Sequence, residues 1–392
     1  MLDSIYIGMS GLEGYSRGLR VISNNTANIN TPGFKSSTLQ FSDLFYTPEN
    51  SSGAGDGSST QLGNGLNTGN TVFNFIQGDF SQTGNDLDMA VDGQGFFILQ
   101  DAKGNIHYTR DGQFKFDDSG ILINSADSDK VMGFDANGQL TPITINGLKV
   151  SPGQATTTVK FTGNLSSAQT TQTVGNITVI DAVGGTHTLS ATFTAGTTSG
   201  NWTVTVKDGT TTVGTGNLNF ISGTPDPTAS TISLSYTPAG LAAQPLTLDF
   251  SSNVTSFSSG SLSSLAMDTQ DGLSPGGVTK TAFDTTGTLV LTYSNGKTVN
   301  GSQLALANFD SPDQAVSSGG NQFEASSTQA WHVGVAGNGS FGNIRSGVIE
   351  MSNVDLSQEF SNLVITQRGY QASSQIVSTA NDMLQELFSM KK

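Results

Sequence analysis

Apolar residues recur at helical spacing at both ends of the chain and at strand spacing between them. From residue 2 to 22, Ile5, Leu12 and Leu19 stand seven apart, with Tyr15 and Ile22 three places after the last two. Near the other terminus Leu356, Leu363, Tyr370, Val377 and Leu384 repeat every seven residues, and Phe360 and Leu387 widen the stripe. A repeat near 3.5 keeps one seam of a helix turned toward a partner along its length. The pattern therefore predicts helices over 1–23 and 355–392 that pair in coiled-coil fashion. The N-terminal helix carries Gly8, Gly11, Gly14 and Gly18, each costing about 0.5–1 kcal/mol against alanine inside a helix.

Between the ends, alternation at period two takes over. Met89–Val91, Phe96–Leu99, Trp202–Val206, Thr231–Tyr236 and Leu289–Tyr293 read as strands, separated by turn pairs such as Asn137-Gly138 and Asn295-Gly296. A hairpin is expected at Asp111-Gly112, joining Ile106–Thr109 to Phe114–Phe116. Residues 24–70 read as an extended arm, with a polar loop at 50–59. From 141 to 276, Thr and Ser dominate and the only basic residues are Lys149, Lys160 and Lys207; this reads as an inserted outer all-β domain, with 251–264 as its return linker. Strands in 71–140 and 277–354 then form an inner β domain around the insert. The fold class expected is mainly β, with paired terminal α-helices and nested discontinuous β domains.

Composition narrows the function. The formal net charge is −15 and charged residues are 12% of the chain, so the surface repels phosphates and nucleic acid is excluded as a partner. No run approaches the 18 or so apolar residues that would span a bilayer, so no membrane insertion is expected. Residues 1–11 contain Asp3 and lack the basic cluster and apolar core of a cleavable secretion signal. The absence of cysteine suits export to an oxidising exterior.

Candidate chemistry falls away on inspection. His107, His187 and His332 each lie in a strand-like run, with no nucleophile or carboxylate spacing of a catalytic triad or metal site. Asp86, Asp88 and Asp92 miss the calcium-loop pattern, since Ala90 and Val91 hold the positions that need an oxygen ligand and a glycine. Gly337, Gly339 and Gly342 match a dinucleotide fingerprint but precede a strand-like run where a helix should open. No cofactor, metal or enzymatic activity is expected.

Three blocks of sequence carry a resemblance. The first is Asn24-Asn25-Thr26-Ala27-Asn28-Ile29-Asn30-Thr31-Pro32-Gly33-Phe34-Lys35; the second combines Met89–Phe97, with Asp92, Gly93, Gly95 and Phe96, and Tyr108–Phe114. The third runs from Gly347 through Asn353, Val354 and Asp355 to Gln367, Arg368 and Tyr370. In this order they resemble the axial rod-and-hook family of the bacterial flagellum. The Thr/Ser-rich insert is similar, by size and placement, to that of the hook members; shorter rod members are the alternative, and a secreted β-rich adhesin the alternative of another class. The resemblance implies a homopolymer built into a curved tube that transmits torque from rod to filament. It also implies passage through the type III export apparatus without signal cleavage, a place in the extracellular hook, and contacts with the distal rod, hook cap and hook–filament junction proteins.

Overall fold

The computed structural model describes residues 2–49, 60–309, 311, 314–326 and 331–390, so the polar loop expected at 50–59 lies outside the described residues. Two compact units divide the chain: residues 1–146, 281–290 and 300–392 form one, and residues 147–280 and 291–299 the other.

In the first unit, helix α1 (Leu2–Ala27) and helix α2 (Leu356–Met390) pack side by side. Gly8 lies against Val377, Gly18 against Thr366, and Asn25 bonds to Glu359, so the helices run antiparallel. α1 does not stop near Ser23 as expected. It continues through Asn24 and Asn25, and tertiary bonds satisfy the Asn25 side chain that would otherwise compete with the helix: Asn25 Nδ2 donates to the Ser37 carbonyl at 2.8 Å and to Glu359 Oε1 at 2.9 Å.

The described residues of the expected arm, 24–49 and 60–70, include paired strands. Ser37–Asp43 pairs antiparallel with Leu66–Phe73, and Tyr46–Glu49 with Thr60–Gly63. The first ladder lies on α1, where the rings of Tyr15 and Phe41 are 6.0 Å apart and Gly14 faces Leu66.

A sheet built from Phe96–Gln100, Ile106–Thr109, Lys130–Phe134, Thr298–Phe309 and Gln322–Ala325 forms the core of this unit. Its strands read as short apolar runs because both faces are covered. Phe96, Phe309, Phe323 and Trp331 cluster there, and Trp331 stacks on Tyr108 at 3.9 Å. The hairpin expected at Asp111-Gly112 does not form. Ile106–Thr109 pairs with Phe96–Gln100 and Gln322–Ala325, while Phe114–Phe116 pairs with Leu122–Asn124. Gly112 instead lies against the Met89 carbonyl, where a Cβ would have no room. Two small ladders, Asn343–Ser346 with Met89–Asp92 and Val348–Glu350 with Phe80–Gln82, lead to α2.

The second unit is a β-sandwich. One sheet is an antiparallel meander from Thr171–Ile180 to Thr224–Pro225; the other joins Thr231–Tyr236, Gln244–Asp249, Thr158–Asn164, Val254–Thr255 and Ala266–Gln270. Trp202, Val204 and Val206 point inward while the residues between them face outward, the alternation expected of a half-buried strand. Phe161, Phe193, Leu218 and Phe250 from both sheets close one core. The segment 251–264 is not a return linker: Val254 is buried in that core and pairs with Gly163, and Asn164 Oδ1 accepts the Phe257 N–H at 2.8 Å.

Candidate functional site

The three sequence blocks converge in the first unit. Lys35 follows the N-terminal turn, Arg110 follows the strand Ile106–Thr109, and Glu350 ends the strand Val348–Glu350. Lys35 Nζ lies 2.5 Å from Glu350 Oε1, with both side chains fully buried, and Arg110 Nη1 lies 3.1 Å from Glu350 Oε2. Lys35 also donates to the Ile76 carbonyl at 2.9 Å, and the Gly78 N–H donates to Glu350 at 2.9 Å. Arg110 reaches the carbonyls of Val91 at 3.2 Å and Gly93 at 2.7 Å. Burial holds the Lys35 ammonium and the Arg110 guanidinium below their ordinary pKa values, against the pull of Glu350. An ion group this dry contributes little net stability but is costly to break, so it fixes which segments meet.

Backbone contacts tie the same junction. The Gly33 N–H donates to the Glu350 carbonyl at 2.7 Å, and Gly33 adopts φ +69° against the Arg110–Asp111 backbone. Only glycine fits there. Asn353 accepts the Ser36 N–H at 2.7 Å and donates to the carbonyls of Asn74 and Ile76 at 2.7 and 2.9 Å. Asn321 Nδ2 donates to the Pro32 carbonyl, and Asn28 joins Asn24 and Thr31 in the turn after α1. Asp355 caps α2 through the Ser357 N–H at 2.8 Å. Phe34 and Val354 are half-buried nearby, Asn30 is exposed, and Phe96 sits in the aromatic core. Asp92 pairs with Arg345 at 2.7 Å, and Gly93 and Gly95 turn with positive φ. Gln367 and Arg368 are apart from this junction, exposed on α2.

Within the chain, the closest line between α1 and α2 runs beside the leucine stripe and shares Ile22 with it. The buried face of α1 is Gly8, Gly11, Gly14, Gly18, Ile22 and Asn25, and that of α2 is Glu359, Ser373 and Ala380, with Thr366 half-buried between them. A Cβ on Gly11 would stand 2.6 Å from Ser373 Oγ, and one on Gly369 2.6 Å from the Tyr15 ring. The glycines that weaken the helix alone are the places where its partner comes close. Ile5, Leu12, Tyr15, Leu19, Leu363, Val377 and Leu384 flank this line, half-buried. Leu356, Phe360, Tyr370 and Leu387 stand outside it: Phe360 is 53% and Leu387 49% exposed. Where the helices approach, a glycine of one receives a side chain of the other, Val377 at Gly8 and Tyr15 at Gly369, while Leu356, Phe360, Tyr370 and Leu387 turn outward. Val364 and Ile365 extend that exposed face on α2, and Tyr6 and Met9 are exposed on α1.

The Lys35–Glu350–Arg110 group was not predicted from the sequence as a unit. Its signal was three isolated charges inside apolar or turn motifs of a chain that is only 12% charged. Among the described residues no group of acidic or histidine side chains has metal-binding geometry. Asn343–Ser346 is a strand, so the glycines at 337, 339 and 342 open no helix. His107 lies between Asp101 and Glu324, and His187 bonds to Asp181 at 2.9 Å.

Comparison with known proteins gives three matching stretches that overlap these blocks. Residues 5–35 match the family model described as flagella basal body rod protein, residues 90–179 the flagellar hook protein FlgE/F/G D1 domain, and residues 345–390 the flagellar basal body rod FlgEFG protein C-terminal. The flagellar hook protein FlgE of Escherichia coli is 31% identical over 98% of this chain and 98% of that protein. The flagellar hook protein FlgE of Borreliella burgdorferi is 30% identical over the full length of both. A crystal structure of Helicobacter pylori flagellar hook protein FlgE2 aligns with a TM-score of 0.46 at 12% identity, over 69% of this chain and 100% of that one. With its terminal helices, its β-rich middle and its end-to-end similarity to the Escherichia coli and Borreliella burgdorferi proteins, the chain belongs to the flagellar hook protein family.

Proposed function

We propose that this chain is a structural subunit of the flagellar hook, polymerising into a curved helical tube that acts as a flexible joint between rod and filament. The observation that carries the reading is the exposed apolar face of α2, which includes Phe360, Val364 and Ile365 beside a helix pair already closed on its other side. Large exposed apolar patches mark interaction surfaces, and copies joined head-to-tail by a rotation that does not close build an open tube. On this reading the subunit passes the type III export apparatus and stacks between distal rod and hook–filament junction beneath a cap. Its role is mechanical, not catalytic.

The test is assembly of the purified chain followed by electron microscopy. Replacing Phe360, Val364 and Ile365 together with serine is expected to leave monomer unfolding within about 1 kcal/mol of the parent, because the side chains are exposed, and to abolish tubes. Tubes forming as readily from the triple variant would overturn the proposal.

A further inference from the structure

Six Asn-Gly pairs fall among the described residues, at Asn64, Asn137, Asn146, Asn295, Asn300 and Asn338. In each, the glycine has no Cβ to shield its amide nitrogen, and that nitrogen is one ring closure from the side-chain carbonyl carbon before it. The fold holds these pairs unequally. Asn295 Nδ2 donates to the Ser274 carbonyl at 2.8 Å, its Oδ1 accepts the Lys297 N–H at 3.1 Å, and the Gly296 N–H donates to the Tyr293 carbonyl at 2.9 Å. Asn137 Nδ2 donates to Asp135 Oδ2 at 3.4 Å, and the Gly138 N–H to the Asp135 carbonyl at 3.0 Å. Asn64 Nδ2 donates to the Phe45 carbonyl at 3.0 Å, and Asn300 lies inside the strand Thr298–Phe309. The Asn338 carbonyl accepts the Phe341 N–H at 3.2 Å, which closes its turn.

Asn146 escapes these restraints. The chain is anchored up to it, since the Ile145 N–H donates to the Gly120 carbonyl at 2.9 Å and the Asn146 N–H to Thr144 Oγ1 at 3.1 Å. Beyond that point Asn146 and Gly147 are exposed, Gly147 adopts φ +78°, and a Cβ built there would meet open space. Among the described residues neither the Asn146 side-chain amide nor the Gly147 N–H has a hydrogen-bond partner.

We propose that Asn146-Gly147 is a site of spontaneous covalent modification. The Gly147 nitrogen loses its proton to water and bonds to Asn146 Cγ. The bond from Cγ to the side-chain nitrogen breaks, and that nitrogen takes a proton from water and leaves as ammonia. The product is a succinimide ring. Water then opens either ring carbonyl, giving aspartate or, with the main chain rerouted through the side chain, isoaspartate. Nothing is oxidised or reduced, and water is the only co-reactant. Either product adds one negative charge, and isoaspartate adds a main-chain carbon at the point where the chain leaves the first unit at residue 146 and enters the second at residue 147. The chemistry belongs to the single chain, so it stands or falls apart from the hook reading.

Lys130 and Lys149 bound one tryptic peptide that carries both Asn137 and Asn146, which supplies an internal comparison. The full chain is held folded in mildly alkaline buffer, sampled over time and digested, and fragment masses assign the loss of each amide. Conversion at Asn146 is expected to come first of the six and to run about tenfold or more ahead of Asn137 and Asn295, the factor set by breaking one or two ordinary hydrogen bonds on the way to the ring. Isoaspartate is expected beside aspartate. In urea the gap between Asn137 and Asn146 is expected to close to within about twofold, because the restraints of the fold are gone. Asn146→Gln, whose longer side chain closes a ring far more slowly, is expected to remove the product at that position with an unchanged urea midpoint. Asn137 or Asn295 converting as fast as Asn146 in the folded chain overturns the proposal. So does aspartate at Asn146 without isoaspartate, or a gap that persists undiminished in urea.

Discussion

Glu350 is the residue on which three distant segments depend. Its two oxygens serve Lys35 and Arg110, and its own side chain has no exposure. Glu350→Gln leaves two buried cations with no counter-charge, and removing one partner of a buried ion pair typically costs about 3–5 kcal/mol. Urea unfolding is expected to show that loss. Replacing all three residues by apolar ones of similar volume is expected to restore most of it, because desolvation then falls away with the charges. A second residue gives a pH signature. Asp181 accepts from His187 at 2.9 Å, from the Gly185 N–H at 2.8 Å and from the Val183 N–H at 2.9 Å, and these bonds, His187 first, hold its carboxyl below the ordinary range. A carboxylate with a depressed folded pKa contributes stability that is present above its unfolded value and lost as pH falls through the folded one. The urea midpoint of the second unit is therefore expected to drop below about pH 4, and less steeply in His187→Gln. A slope equal in both proteins would show that this bond does not matter.

At the scale of elements, the helix pair shows how a pattern can fix the type of an element without fixing which of its faces lies closest to a neighbour in the same chain. The seven-residue repeats mark two helices, and two helices are there. Hydrophobicity pointed to the leucines as the seam, yet closeness of approach decided it. The stripe Glu359, Thr366, Ser373 and Ala380 has the same seven-residue spacing as the leucines, three positions on, and it is the one that lets α1 in. Nothing in a hydropathy pattern ranks a glycine face above a leucine face. Gly369→Ala puts a methyl against the Tyr15 ring, while raising intrinsic helix propensity by up to about 1 kcal/mol. Amide exchange in α1 is expected to quicken in Gly369→Ala and to recover in Gly369→Ala with Tyr15→Ala. Exchange slowed by the single change would show that propensity outweighs the contact. The Asp111-Gly112 turn makes the same point among strands: its chemistry is that of a turn, but pairing went to residues 213 positions away at Gln322↔Thr109.

For the whole molecule, each unit closes a core of its own, and the ends of the longer insert segment are held together where Val150 pairs with Gly277. Replacing residues 147–280 by a short Gly/Ser linker is expected to keep the near-ultraviolet signal of Trp331 stacked on Tyr108 and a cooperative transition, while Trp202 is removed. Loss of both would mean the first unit does not fold alone. In the same variant, tubes are expected to form with altered curvature and bending; unchanged tubes would deny the second unit a mechanical part. Local chemistry in the sequence by itself determined the element types, the two helical ends and the β-rich middle, because spacing and turn residues act over a few positions. It also gave the expectations of no nucleic-acid partner and no membrane-spanning run, because net charge and hydropathy are sums over the chain; among the described residues no helix is long and apolar enough to cross a membrane. Only the tertiary structure decided which face of each helix is covered, which strands pair across hundreds of residues, and that Lys35, Arg110 and Glu350 share one dry site. Those are matters of distance between segments far apart in sequence, and a one-dimensional pattern carries no distances.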